Sequence, residues 1–167
     1  MPEHTQEHAS PAGYGTVTPW IISKDSAGLI RFLEAAFSAR ETAGSRILNA
    51  DGSIAHVEVT IGNSIVRLFD SYPGWPETPA FLRLYLDDAD STYRSALTAG
   101  ATSVTEVTEL FWGDRVGRVR DPFGNIWWLQ SHVADVPFDE MQRRMTEPAM
   151  VEAMQYVQQT LVDELRG

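Results

Sequence analysis

The strongest constraint on the fold is a repeat of structure-breaking and capping residues at a spacing of 62 positions. Three sites share this offset: Asp25 and Asp87, Ala39 and Ala101, and the dipeptides Gly62-Asn63 and Gly124-Asn125. Between these sites each half of the chain has the pattern of a strand, a helix and three strands. A fixed internal period indicates a duplicated structural unit. We therefore predict an α+β protein of two βαβββ modules, covering about residues 16–70 and 81–131.

The elements of both modules follow from periodicity and turn signals. In the first module we predict strands over residues 16–22, 40–48, 54–61 and 64–70, and a helix that Asp25 or Ser26 caps. The dipeptide Gly62-Asn63 is a two-residue hairpin turn. In the second module we predict strands over residues 81–86, 102–109, 115–120 and 126–131, and a helix that begins at Asp87, Asp88 or Asp90.

Three segments flank or join the modules. Residues 1–15 are polar and lack periodicity, so we expect a flexible tail, and residues 71–79 form a proline-containing linker. Residues 137–165 form a helical extension whose apolar residues recur at helical spacing: Met150, Met154, Val157, Leu161 and Leu165. We expect this stripe to cover the domain or a partner subunit.

Charge and composition exclude several classes of partner. The chain carries 13 Lys and Arg against 23 Asp and Glu, a net charge of -10, which disfavours nucleic acid and anionic membranes. No apolar run approaches the ~18 residues of a spanning helix. Cysteine is absent, which excludes thiolate metal sites and fits a reducing compartment. Residues 1–5 lack the pattern of a signal peptide, and we predict a cytoplasmic protein.

Two motifs of the second module resemble a known superfamily. These are the segments 111–115, Phe-Trp-Gly-Asp-Arg, and 120–127, which contains Asp121-Pro122-Phe123-Gly124-Asn125. With His56-Val57-Glu58 before the first hairpin, they resemble the glyoxalase/bleomycin-resistance branch of the vicinal oxygen chelate superfamily. The resemblance implies that each module forms half of an open barrel, with helices outside and a ligand cleft inside. It does not define a reaction, because one fold serves many functions.

The same resemblance implies where a metal would bind. Metal-dependent members place His or Glu ligands on the first and fourth strands of each module. Carried over by strand position, these sites fall near Thr18, Arg67, Phe81 or Arg83, and Trp128. Because a divalent metal needs several oxygen or imidazole ligands that converge on it, we expect neither a metal nor another cofactor.

Strand alternation predicts which side chains line the cleft. The apolar residues of each strand, such as Val57, Val59, Val66 and Leu68, should face the helices. The opposite parity should then face the cleft: Trp20, His56, Glu58, Arg67, Phe69, Phe81, Arg83, Tyr85 and Trp128. Trp75 and Trp112 lie on loops beside this lining. The two-residue turn places Glu58 opposite Arg67 and His56 opposite Phe69.

These residues support more than one function. The first hypothesis is a metal-independent protein that binds an aromatic or anionic small molecule, with Arg67 and Arg83 orienting the anion and Trp128 stacking on the ring. The alternative is a lyase, isomerase or dioxygenase that uses an unrecognised metal or His56 and Glu58 as an acid–base pair. Glu58 and Arg67 also suit a plain ion pair. A third hypothesis is an interaction protein that acts through its last helix. We expect a homodimer.

Overall fold

The computed structural model describes Ser10, Pro11 and residues 13–167, so most of the predicted tail, residues 1–9 and 12, lies outside the described residues. The first module contains β1 (Trp20–Ser23), α1 (Ser26–Phe37), β2 (Arg40–Glu41), β3 (Ile47–Leu48), β4 (Ile54–Ile61) and β5 (Ser64–Asp70). Its sheet has the order β1-β5-β4-β2, and β3 also pairs with β4. Strand β1 runs parallel to β5, whereas β4 and β5 form an antiparallel hairpin.

The second module repeats this topology. It contains β6 (Phe81–Tyr85), α2 (Ala89–Thr98), β7 (Thr102–Glu109), β8 (Asp114–Arg120) and β9 (Ile126–His132), in the sheet order β6-β9-β8-β7. Strand β6 runs parallel to β9, as β1 does to β5. The predicted α+β fold of two βαβββ modules with open sheets is confirmed. Helices α3 (Phe138–Arg144) and α4 (Pro148–Arg166) follow the second module.

One hydrophobic core lies between the sheets and helices α1 and α2, and it extends through both modules. The first module contributes residues such as Leu29, Leu33 and Leu68, and the second contributes Trp127 and Leu129, all fully buried. The rings of Phe37 and Trp127 join the modules directly, with their centroids 5.0 Å apart. Burial of this apolar surface is the main force that fixes the two modules against each other.

The turn after β8 is held by Asp121. Its Oδ1 accepts hydrogen bonds from the backbone N–H groups of Phe123 and Asn125, both at 2.9 Å. Its Oδ2 accepts from the side chains of Asn125 at 2.9 Å and Trp127 at 2.8 Å. Gly124 adopts a φ of 93°, which favours glycine. This turn motif therefore serves the fold.

Two predicted strands need correction, and the structure selects one of the three predicted starts of α2. Strand β1 begins at Trp20, so Thr18 precedes the strand. The single strand predicted over residues 40–48 is two short strands, because the chain turns between them through Gly44 at a φ of 76°. Asp88, which accepts from Ser91 N at 2.9 Å, caps α2. The residue that corresponds to the Asp25 cap of α1 is therefore Asp88 and not Asp87, so the repeat spacing of 62 positions is one residue too short here.

Helix α4 packs on the second sheet, on the face opposite α2. Val157 is buried there with Leu110 and Val116, and Ala153 and Met154 pack against the same cluster. Polar contacts add to this packing, because Thr105 and Thr160 share a hydrogen bond of 2.7 Å and Arg120 pairs with Glu164. The apolar stripe predicted for this helix therefore covers the chain's own second module, although Leu165 remains exposed. No helix of the described residues is sufficiently long and apolar to traverse a membrane.

Candidate functional site

Each sheet has one face that packs on α1 and α2, and we call the opposite face the open face, although α4 covers part of it in the second module. The helix-facing residues are the predicted apolar set, and Val57, Val59, Val66, Leu68, Trp127 and Leu129 are all buried. The predicted site residues therefore have the opposite parity and lie on the open faces. His56, Glu58, Arg67, Phe69 and Trp128 are partly buried, whereas Trp20, Phe81, Arg83 and Tyr85 are exposed.

A polar cluster on the first open face centres on Glu58. Glu58 and Arg67 are directly opposite on β4 and β5, as predicted. Arg67 Nη2 and His56 Nε2 each lie 3.4 Å from Glu58 Oε1. The hydroxyl of Tyr14 donates a hydrogen bond to the same oxygen. His56 pairs with Ile47 of β3 on its other side, and the described register does not include a His56–Phe69 pair.

The hydrogen bond from Tyr14 lowers the pKa of Glu58, and burial of the carboxyl opposes this effect. Contacts from His56 and Arg67 lower the pKa further. The three partners converge on one carboxylate oxygen and favour its ionised form. A carboxylate with a lowered pKa is a weaker base than an ordinary one, so this geometry suits an ion pair better than a general base.

Aromatic rings extend from this cluster along the first open face. The rings of Trp20 and Phe69 meet edge to face with their centroids 5.4 Å apart, and the centroids of Phe69 and Trp75 are 6.1 Å apart. The ring centroid of Tyr72, on the linker, lies 5.0 Å from that of Trp75. The guanidinium carbon of Arg67 lies 5.2 Å from the Tyr14 ring centroid and 5.7 Å from that of Trp20. This face can thus offer a flat ligand stacking surfaces beside a paired cation.

Tyr14 is a site residue that the sequence analysis missed. The sequence predicts a flexible tail through residue 15, because polar residues without periodicity give no sign of a contact. The structure instead places the Tyr14 ring against Arg67 and its hydroxyl on Glu58. The one available signal was an aromatic residue in an otherwise polar segment.

Three cationic and aromatic side chains form a row on the second open face. In the sheet register, Trp128 of β9 is paired with Arg83 of β6 on one side and with Arg118 of β8 on the other. The guanidinium carbons lie 4.4 Å (Arg83) and 4.0 Å (Arg118) from the Trp128 ring centroid. Phe81 stacks on Trp128 with centroids 6.4 Å apart. The predicted group of Phe81, Arg83 and Trp128 thus lies together.

Arg118 is the second residue that the sequence analysis missed. It is only 2% exposed, because α4 covers β8 at this point. Its Nη1 donates to Thr105 Oγ1 at 3.0 Å and to the carbonyl oxygen of Val157 at 2.7 Å. Burial, together with the nearby charge of Arg83, lowers its pKa to about 10. An arginine in a strand gives no sequence signal of burial, since Arg is usually exposed.

Asp114, a buried carboxylate, lies at the start of β8 on this face. Asp114 lies 2.6 Å from His132 Nδ1 and accepts hydrogen bonds from the side chains of Trp112 and Gln130. The second ring nitrogen of His132 lies 3.0 Å from Asp135. Burial tends to raise the pKa of Asp114, but the hydrogen bonds outweigh it and the net change is a lowering. The two carboxylates raise the pKa of His132.

The two open faces are separate in the chain. Among the described residues, no aromatic or charged contact joins the cluster around Glu58 to the row around Trp128. Two pockets lie at the junction of the modules. One, of about 600 Å³, runs beside β6 and includes Arg83 and Tyr85 in its lining, and another, of about 400 Å³, lies between the linker and the Asp121 turn.

The strand register identifies the residues at the four positions where metal-dependent proteins of this topology carry their ligands. Trp20 of β1 is paired with Arg67 of β5, and Arg83 of β6 with Trp128 of β9. A guanidinium is always protonated and an indole nitrogen only donates, so neither offers a lone pair to a metal. Across residues 10–11 and 13–167, no three His, Asp or Glu side chains form a group suited to a metal ion.

Comparisons with known proteins agree with this topology. The family model of the Glyoxalase/Bleomycin resistance protein/Dioxygenase superfamily matches residues 11–129. The uncharacterized protein Rv0887c of Mycobacterium tuberculosis is 35% identical over 141 residues, which cover 78% of this chain and 82% of that protein. Helices α3 and α4 follow the segment that the family model matches.

Solved structures show the same fold. TioX from Micromonospora sp. ML1 aligns with a TM-score of 0.60 and 22% identity over 71% of this chain and 99% of its own. The fosfomycin resistance protein FosX from Mesorhizobium loti aligns with a TM-score of 0.52 and 18% identity, over 70% of this chain and 91% of its own. At this identity the likeness concerns the fold alone.

Proposed function

Because the chain belongs to the glyoxalase/bleomycin resistance protein/dioxygenase superfamily, we propose that it is a metal-independent binding protein for an aromatic or anionic organic molecule. The observation that carries this proposal is the pair of Arg and Trp residues on the first and last strands of each module. These are Trp20 with Arg67 and Arg83 with Trp128. Guanidinium and indole groups bind anions and flat rings, and do not bind divalent metals.

The state of Glu58 supports binding over acid–base catalysis. Three neighbours already occupy one oxygen of this carboxylate, and its lowered pKa makes it a poor base near neutral pH. The arrangement instead fixes the position of Arg67, whose guanidinium lies beside Tyr14 and Trp20. A rigid cation among aromatic rings is suited to orienting a ligand.

We propose that a second copy of the chain completes the cleft. Among the described residues of one chain, no aromatic or charged contact joins the two open faces. Three of their side chains are about half exposed or more: Trp20 is 54% exposed, Phe81 48% and Tyr85 68%. Large exposed aromatic residues are typical of a surface that a partner covers. A homodimer would bring a first open face against a second one.

The test is a ligand screen on protein purified without an affinity tag and treated with a chelator. We expect aromatic acids to raise the melting temperature of chelated protein as much as of untreated protein, and elemental analysis to find far less than one metal per chain. Trp20→Leu should weaken binding by about three- to tenfold, since stacking contributes about 1 kcal/mol. Trp128→Leu should weaken it to a similar extent, because Arg83 loses the ring that it packs against.

Phe138→Leu is the matched control, because Phe138 is 73% exposed on α3 and should not affect binding. About one Zn, Ni, Fe or Mn per chain, together with loss of ligand binding after chelation, would contradict the proposal. So would binding that is equally strong in wild type and in both tryptophan variants.

A further inference from the structure

Corresponding rows on the two open faces carry different charge. Across β1, β5 and β4 the first row is Trp20, Arg67 and Glu58, in which the acid balances the arginine. Across β6, β9 and β8 the second row is Arg83, Trp128 and Arg118, which carries two positive charges and no acid. In a chain with a net charge of -10, a local pair of cations is a specific feature of this face.

Arg118 is a buried cation without an acidic partner. Among the described residues, no carboxylate lies within salt-bridge distance of its guanidinium, and its two hydrogen bonds both go to neutral oxygens. Its Nε is buried and donates to nothing in the described part of the chain. A buried ion of this kind costs free energy unless something pairs with it, and an anionic ligand is the partner that would supply the missing charge.

Two further buried atoms beside Arg118 are also unsatisfied. The indole Nε1 of Trp128 donates no hydrogen bond, and the Oε1 of Gln130 accepts none, among the residues described. Trp128 and Gln130 are two positions apart on β9 and so lie on the same face of the sheet. The second row thus holds two buried, unused donors, Arg118 Nε and Trp128 Nε1, and one unused acceptor, whereas the first row holds one such donor, Arg67 Nε, beside the carboxylate of Glu58.

We propose that Arg83, Arg118 and Trp128 form the subsite for the carboxylate of a planar organic acid. This inference rests on the proposed binding function and assigns the anionic group to the second open face instead of to Arg67. The carboxylate accepts from Arg118 and from the Trp128 indole, while Arg83 supplies the second positive charge. Gln130 Oε1 accepts from a hydroxyl or amino group next to the carboxylate. The aromatic rings of the first open face are left for the uncharged part of the ligand.

The position of α4 determines how such an anion enters. The helix covers the β7 and β8 side of the face through Val157 and Thr160. Arg83 and Phe81, on the edge strand β6, stay exposed. The anion therefore approaches from the β6 side, first meets Arg83 and then reaches the dry end of the row. Because water is excluded there, each charged hydrogen bond is stronger than on the surface.

The experiment compares a charged probe with a neutral probe of the same shape. Isothermal titration of the full-length chain would use 2-naphthoate and 2-naphthamide at low and high salt. We expect 2-naphthoate to bind about ten- to a hundredfold more tightly than the amide, because a charged hydrogen bond contributes that much affinity. Arg83→Gln should remove most of this preference and leave binding of the amide unchanged.

Two further variants complete the comparison. Arg94→Gln removes the same charge from the exposed surface of α2, and it should keep the preference for the carboxylate. Arg118→Lys keeps the charge but loses the Nε donor, and it should reduce the preference if circular dichroism shows that it folds. If it does not fold, Arg83→Gln alone decides.

The possible failures are distinguishable. Equal binding of both probes by wild type would overturn the carboxylate subsite and leave the proposed binding function standing. The same preference in Arg83→Gln as in wild type would also overturn the subsite. Binding of neither probe would overturn the subsite and count against the proposed function itself.

Discussion

Glu58 and Arg67 lie directly opposite each other on β4 and β5, and their side chains meet with Arg67 Nη2 3.4 Å from Glu58 Oε1. Tyr14, from the segment before β1, contacts both side chains: its hydroxyl donates to Glu58 and its ring packs against Arg67. The charge of the first open face is therefore balanced within the fold. This balance makes the stability of the first module sensitive to the ionisation of one carboxyl group.

We predict that Glu58→Gln lowers the free energy of unfolding by about 1 kcal/mol at neutral pH. The folded pKa of Glu58 is lowered, so its contribution is present above the unfolded pKa of about 4.5 and is lost as pH falls through the folded pKa. The difference between wild type and variant should thus shrink in acid, as measured by urea unfolding at several pH values. Glu34→Gln, an exposed change on α1, should show no such trend, and a difference that grows in acid would contradict the prediction.

The Glu58–Arg67 pair also shows what the sequence could predict. A two-residue turn at Gly62-Asn63 fixes the hairpin register, and strand alternation then fixes which side chains share a face. Those two local rules placed Glu58 against Arg67 and put Trp128 and Arg83 on one face. They could not place Tyr14, whose contacts leave no local pattern. The apolar stripe of α4 predicted that this helix covers the domain or a partner subunit, but it could not say which face the helix covers. The burial of Arg118 depends on α4 and was missed for that reason.

We predict that His132 titrates above its ordinary pKa, because Asp114 and Asp135 raise it. The stability it contributes is fully present below about pH 6.5, the unfolded value, and is lost as pH rises through the folded pKa. The unfolding free energy of wild type should thus be higher than that of His132→Gln, and this difference should be larger in mild acid than in alkali. A proton NMR titration would measure the pKa, and Asp135→Asn should lower it; a His132 pKa at or below 6.5 in wild type would be the contrary result.

Asp121→Ala should cost at least about 3 kcal/mol of unfolding free energy. The change leaves three buried donors and one partly buried donor without an acceptor. The buried ones are the backbone N–H of Asn125 and the side chains of Asn125 and Trp127, and the partly buried one is the backbone N–H of Phe123. Chemical denaturation would measure the loss. Asp51→Ala, in an exposed turn where Asp51 accepts from the backbone and side chain of Ser53, should cost far less. Similar losses in the two variants would refute a structural role for the Asp121 turn.

Gly28→Ala should destabilise the chain by about 1–3 kcal/mol, although alanine is the better helix former. A Cβ at Gly28 would lie 2.9 Å from Phe123 Cζ and 2.3 Å from Asp25 Oδ2, so α1 could not pack on the turn of the second module. Combining it with Phe123→Leu should recover part of the loss in thermal unfolding. Ser91→Ala, at the matching but exposed position of α2, serves as the control, and a stabilised Gly28→Ala would show that the contact is unimportant.

Light scattering should give a mass of twice 18.6 kDa at micromolar concentration, the value expected for a dimer of this chain. Tyr85→Glu should shift the mass to that of one chain, because Tyr85 is 68% exposed on the edge strand β6 and a buried unpaired charge is unfavourable. Phe138→Glu, on the exposed start of α3, should leave the dimer intact. A single-chain mass for wild type would rule out the second copy as part of the cleft.

Helix α4 follows both sheets in the sequence. It buries Arg118 of the second sheet and provides one of the acceptors for its guanidinium. As a protein is synthesised from its N-terminus, β6 to β9 can pair while the ribosome still holds residues 148–166. During this interval Arg118 remains hydrated and carries no desolvation cost. The guanidinium loses its water only when α4 is released and its Val157 carbonyl becomes available. The order of the elements thus delays the unfavourable burial of this cation until its hydrogen-bond acceptor has emerged.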